Sequence, residues 1–159
     1  MSGRATRRMT AAPPPEGTTL FLIGMSLPRL WHLRAWLGVF ATMPRILVYL
    51  GRHPDAGLFS SQIYLGRSLM VVTYWRSADH LRRFAADSDA PHRPAWDWFN
   101  RHFADTDAVG IWHETYVIGE HESICVGMPP YGLTEAVGWE PVGRGTATSK
   151  QRMRARSAS

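Results

Sequence analysis

The spacing of apolar and polar positions changes several times along the chain, and each change marks a predicted element. Thr18–Leu27 alternates Phe21, Ile23, Met25 and Leu27 with Leu20, Leu22, Gly24 and Ser26. Both faces are then largely apolar, which predicts a central strand. Beyond Pro28 the spacing turns helical, through Leu33, Trp36, Leu37, Phe40, Met43, Ile46, Leu47 and Leu50. Pro44 lacks a backbone donor and predicts a kink or a break within that run. The His53–Gly57 turn closes it.

Leu58–Leu65 and Leu69–Arg76 are predicted strands joined by a tight connection at Gly66-Arg67-Ser68. Ser77 is placed to cap a short helix through Asp87, with Leu81 and Phe84 inward. A second helical piece starts at Pro94 and sets Trp96, Phe99 and Phe103 on one face. Val109–Ile118 is the last predicted strand. The order is that of a split βαβ sheet, an α+β, ferredoxin-like βαββαβ domain. Its strands are apolar on both faces, with Val71 and Trp75 on one side and Met70, Val72 and Tyr74 on the other. A second sheet covering the side without helices is the simplest way to keep that surface from water, so a homodimer, a dimeric α+β barrel, is expected.

Charge at first points elsewhere. The chain has 159 residues, a formal net charge of +5 and a pI near 10.0. Basic character is a footprint of nucleic-acid binding only where it clusters on a folded surface. Residues 1–16 carry +2 and residues 143–159 carry +5, whereas 17–142 hold ten arginines against twelve acids, for −2. The reading is one domain over 17–142 between two disordered basic tails, 1–16 and 143–159, with no specific nucleic-acid partner. The single cysteine, Cys125, excludes an intramolecular disulfide and fits a cytoplasmic protein. Arg7-Arg8 followed by an apolar run resembles an export signal, but Pro13–Glu16 intervenes and no small-residue cleavage site follows. No run approaches the roughly 18 apolar residues needed to span a bilayer.

No phosphate loop, His-Glu-x-x-His pair or nucleophile elbow occurs, and no histidines stand at metal-ligand spacing, so no metal site is expected. Two segments combine ring and ionisable side chains. At Tyr74-Trp75-Arg76, Arg76 either lies on the surface or faces a cavity between sheet and helices and stabilises an anion there. Along Gly110–Tyr116, alternation sets His113 on the face opposite Trp112, Glu114 and Tyr116, so only one of His113 and Glu114 faces that cavity. Whichever does is a candidate general base. His92, Trp96 and Asn100 share a helical flank as a candidate opposite wall.

These segments, together with Phe21–Met25, Trp36-Leu37, Met43-Pro44-Arg45, Pro94-Ala95-Trp96, Phe99-Asn100 and Met128–Leu133, resemble a monooxygenase-like family of the dimeric α+β-barrel superfamily, long labelled a domain of unknown function and related to the polyketide-cleaving monooxygenase of the fumagillin pathway. Gly127 stands where the family pattern leads one to expect asparagine. The resemblance implies a cofactor-independent monooxygenase that oxidises an aromatic or polyketide-like molecule with molecular oxygen, in specialised metabolism. His113, Arg76 and Glu114 are its candidate catalytic residues. Tyr74, Trp75, Trp96, Asn100, Trp112 and Met128 are its candidate substrate contacts, with Met128–Leu133 as a lid. Two alternatives stay open: a haem enzyme with His113 or His92 as axial ligand, and a non-catalytic dimer that binds a small molecule.

Overall fold

The structure, a computed structural model, describes residues 8–26, 33–66, 68–103 and 109–157; of residues 33–42, 95 and 157 it describes the backbone only. In chain order the elements are β1 (Arg8–Ala11), β2 (Thr19–Ser26), α1 (Leu33–Arg52), β3 (Leu58–Leu65), β4 (Leu69–Trp75), α2 (Ala78–Ala86), α3 (His92–Phe103), β5 (Gly110–Val117), β6 (Cys125–Val126), α4 (Leu133–Val137), β7 (Trp139–Pro141) and α5 (Ser149–Ser157).

Four strands form the main sheet in the order β3-β4-β2-β5, all neighbours antiparallel. With α1 crossing from β2 to β3 and α2–α3 crossing from β4 to β5, this is the predicted ferredoxin-like order. β2 is central because both its faces are apolar. A bulge between Leu58 and Ser60 shifts the β3 register by one residue, which bends that edge strand. Pro44 lies inside a continuous α1, so the predicted break does not occur. Ser77 caps α2 as expected, its hydroxyl accepting from the His80 N–H at 3.3 Å. The turn after α1 ends at Gly57, whose φ of 87° lies in the left-handed region and whose missing Cβ leaves room for the His80 ring.

α1, α2 and α3 cover one side of the sheet, where two apolar clusters form. Leu50, Trp75 and Leu81 make the first, joined by Phe21, Ile46, Tyr49, Leu58 and Phe84. Met25 and Val109 make the second, at the other end of the sheet, joined by Phe99, Phe103 and Ile111.

Disordered tails were expected at both ends, and among the described residues the structure differs. β1 runs between β6 and β7 in a second, three-stranded antiparallel sheet, with Met9 and Ala11 buried. α5 is anchored by its basic residues. Arg152 is 5 % exposed and donates from Nε to Glu122 Oε2 at 2.6 Å and from Nη1 to the carbonyls of Thr146 and Ala147. Arg156 reaches Glu140 at 3.0 Å and the Ala11 carbonyl. Composition misread these residues because the arginines act as polar pins under a short helix with no apolar face. Residues 1–7 lie outside the described residues.

Candidate functional site

Register decides what each side of the main sheet presents. Across β2, Ile23 pairs with Val71 and His113, Phe21 with Thr73 and Thr115, and Thr19 with Trp75. These residues share the helix side with the two clusters. Leu22 pairs with Val72 and Glu114, Leu20 with Tyr74 and Tyr116, and Gly24 with Met70 and Trp112, and these form the open side. The alternative left by the sequence is thereby resolved: His113 faces the helices and Glu114 does not.

His113 occupies the row between the two clusters. Its ring lies 5.7 Å from that of Phe21 at 40°. It is exposed and has no hydrogen-bond partner among the described residues. α3 runs along the same side. His92 packs on Phe84 at 4.5 Å, Phe84 packs on Trp75 at 5.5 Å, and Phe99 and Phe103 reach the Met25 cluster at the far end. Trp96 and Asn100 therefore lie along the helix side, both exposed, with Trp96 stacked on Phe99 at 5.8 Å.

Trp75 is a core residue rather than an available wall. It is 2 % exposed, and its indole N–H donates to Thr73 Oγ1 at 2.9 Å. Arg76 lies beyond the end of β4, exposed, with its backbone N–H donating to the Gly57 carbonyl at 2.8 Å. It stands five residues past the row of His113, about 16 Å along the strand direction at the usual rise. Arg76 and His113 thus sit at different places on the sheet and do not meet one reacting atom. The Arg76 charge is felt at His80, whose ring is held below the usual histidine range by burial first and then by Arg83 and Arg76.

Four further candidates lie on the open side, so the expected single pocket lined by Trp75, Trp96 and Trp112 does not form within one chain. Trp112 lies flat over Gly24. Glu114 accepts from the Tyr116 hydroxyl at 2.7 Å, and this bond, with the carboxylate charge, raises the phenol. Tyr74 is half-buried and raised by burial. Met128 is exposed on the segment leading to α4, and it is residues 131–135 that pack on the open side. Tyr131 meets Tyr64 edge-on at 6.4 Å, Gly132 lies over the Tyr74 hydroxyl, and Glu135 accepts from Gln62 Nε2 at 2.5 Å. The Met128–Leu133 segment is therefore no lid over His113. Tyr64 is pushed up to about 12, chiefly by its hydrogen bond with Tyr131. Sequence reasoning missed Gln62, Tyr64, Tyr131 and Glu135 because their contacts join segments far apart in the chain, and no local spacing announces them.

Among the described residues no group of three or more His, Cys, Asp or Glu side chains suits a metal ion. Haem fits poorly. His92 Nε2 is held 3.0 Å from the Ala85 carbonyl, and its Nδ1 is enclosed without a partner. Among the described residues His113 has no second hydrogen bond of the kind that normally orients a ligating imidazole. No described helix is long and apolar enough to cross a membrane.

Sheet order and helix placement define a ferredoxin-like α+β domain. The chain belongs to the monooxygenase af470-like family, whose family model matches residues 18–133. Among solved structures it is similar to aldoxime dehydratase in complex with butyraldoxime, at 15% identity and a TM-score of 0.63, over 84% of this chain and 39% of that one. A second aldoxime dehydratase structure gives 17% identity and a TM-score of 0.53, over 71% of this chain and 35% of that one. The chain thus spans about two fifths of the length of these enzymes. SnoaB, a cofactor-independent oxygenase from Streptomyces nogalater, is similar at 14% identity and a TM-score of 0.47, over 66% of this chain and 96% of that one. The likenesses above 0.5 support the fold. No curated protein matches the chain.

Proposed function

We propose that the protein is a cofactor-independent monooxygenase of an aromatic or polyketide-like small molecule, and that it works as a cytoplasmic homodimer in specialised metabolism. The observation that carries this reading is His113, an unpartnered imidazole on the helix side between two apolar clusters, within the segment that matches the family. A substrate bound there lies between β5 and α3, with Phe21 and Trp96 as ring neighbours and Asn100 as a polar contact.

The imidazole of His113 is the group that takes a proton from a phenol or from an activated methylene. The carbanion passes one electron to molecular oxygen, the radical pair combines to a peroxide anion, and this takes back the proton from His113 to give a hydroperoxide. Loss of water leaves a carbonyl, so one oxygen atom enters the product and the other leaves as water. His113 is exposed in the single chain, so the step depends on the bound substrate itself displacing water from the imidazole. Arg76 has no part in it, being displaced along the sheet.

The homodimer rests on the open side, where Leu20, Leu22, Met70 and Val72 are only partly covered and Trp112 and Tyr116 are exposed. The test is oxygen consumption by purified protein with an anthrone, whose methylene is acidic, under rigorous metal chelation. Uptake that matches product and disappears in His113→Ala supports the proposal. Saturable binding without uptake favours a carrier, and a Soret band in haem-supplied protein would favour the haem enzyme.

A further inference from the structure

A cleft of about 530 Å³ lies away from His113, between the second half of α1 and the connection from α2 to α3. Its α1 wall is built from Pro44, Arg45, Val48, Tyr49, Arg52 and His53, and Asp89 and Pro91 face them. Arg45, Val48, Tyr49 and Arg52 follow at helical spacing along one face. The two arginines are exposed and unpaired among the described residues, about 10 Å apart along the helix axis. Between them the rings of Tyr49 and His53 stack at 4.0 Å and 24°, giving a flat surface. His53 Nδ1 lies 2.8 Å from the Tyr49 carbonyl, so it is the donor and Nε2 is left for another partner. Across the cleft, the Asp89 carboxylate is also unpaired among the described residues.

We infer that this cleft binds a flat aromatic acid carrying a hydroxyl group. Its ring system lies against Tyr49, Val48 and Pro91, its carboxylate takes the fork of Arg45 or Arg52, and its hydroxyl donates to Asp89. Each part answers a feature otherwise unexplained. Two desolvating prolines and a stacked pair suit a ring, an unpaired guanidinium suits a carboxylate in bidentate geometry, and an unpaired carboxylate opposite suits a hydroxyl proton. Asp89 also rejects a dianion, which sets the ligand at a single negative charge. The site is independent of the oxygenase reading, since it shares no residue with the His113 region.

The test titrates the full chain with 6-hydroxy-2-naphthoate, followed by ligand fluorescence and by amide shifts in heteronuclear NMR. Saturable binding is expected, with shifts centred on residues 44–53 and 89–91. Arg45→Gln combined with Arg52→Gln should weaken binding roughly tenfold or more, the scale of one charge-assisted contact. The corresponding double lysine variant should keep part of the affinity and controls for folding. The neutral 6-hydroxy-2-naphthalenemethanol should bind more weakly by a similar factor. Equal affinity of the neutral compound, unchanged binding by the glutamine variant, or shifts centred on residues 111–115 would each overturn the assignment.

Discussion

Gly24 and Trp112 stand opposite each other across β2 and β5, and the indole of Trp112 occupies the space a side chain at position 24 would need. A Cβ placed there would meet the ring at under 3.0 Å, a separation that real side chains do not adopt. The glycine is thus a slot cut into the open side of the sheet for one aromatic ring. Gly24→Val should displace Trp112 and cost about 1–3 kcal/mol, as overpacking does. A lowered melting temperature and an altered indole emission are expected; a variant with both unchanged would show that the ring is not seated there.

The separation of His113 from Glu114 gives a paired prediction. His113→Ala should lower turnover by about 10²–10⁴, the usual contribution of a general base, with the fold intact by circular dichroism. Glu114→Gln should leave turnover unchanged and let the Tyr116 phenol fall back toward its ordinary range, because its hydrogen bond to a carboxylate is what raises it. Ultraviolet titration of the tyrosines reads the second effect. Equal loss of activity in both variants contradicts the assignment of sides.

Arg76→Gln tests the placement of that arginine. Removing a positive charge near His80 makes protonation easier, so the His80 ring should titrate higher than in the parent, by proton NMR. Turnover should be unaffected. A large fall in turnover with His80 unmoved would mean that Arg76 reaches the reacting centre.

Trp75→Ala removes a ring that is almost fully enclosed among Leu50, Leu81 and Phe84, and should cost about 3–5 kcal/mol. Chemical denaturation measures this directly. A loss of activity without a loss of stability would instead make Trp75 part of a substrate wall.

Much of this architecture was legible because period-two and helical spacings are written locally. The four main strands, the Ser77 cap and the inward positions Leu81, Phe99 and Phe103 all follow from neighbours in the chain. Alternation also separated His113 from Glu114, and only coordinates assign each to a side. What sequence reasoning joined and the structure separates is Arg76 with His113, since a motif shows proximity along a strand and not the strand's length between two residues. The unpredicted second sheet has the same origin. Met9 pairs with Cys125 and Pro141, contacts spanning most of the chain, and α5 has no apolar stripe to reveal its seat.

The ion pair that seats α5 predicts a dependence on acidity. Glu122 is held below its ordinary value of 4.5, first by the hydrogen bond from Arg152. A carboxylate with a lowered folded pKa contributes stability above its unfolded pKa, and that contribution is lost as pH falls through the folded value. Arg152→Met should cost about 1.5–3 kcal/mol near neutrality, the range for a hydrogen bond to a charged group. The difference from the parent should shrink as pH drops through 4.5 and below. Urea unfolding at several pH values checks this, and a difference that is constant or grows on acidification contradicts it.

The position of β1 has a consequence for how the chain is made. This strand is synthesised more than a hundred residues ahead of its partners, since both ladders it joins are supplied by residues 125–141. The four-stranded unit has all its pieces by β5, so it can settle while Met9 and Ala11 still wait for partners. Closing the second sheet then waits on β6 and β7, and loss of β1 would leave those two strands with bare edges, the kind of surface on which aggregation begins.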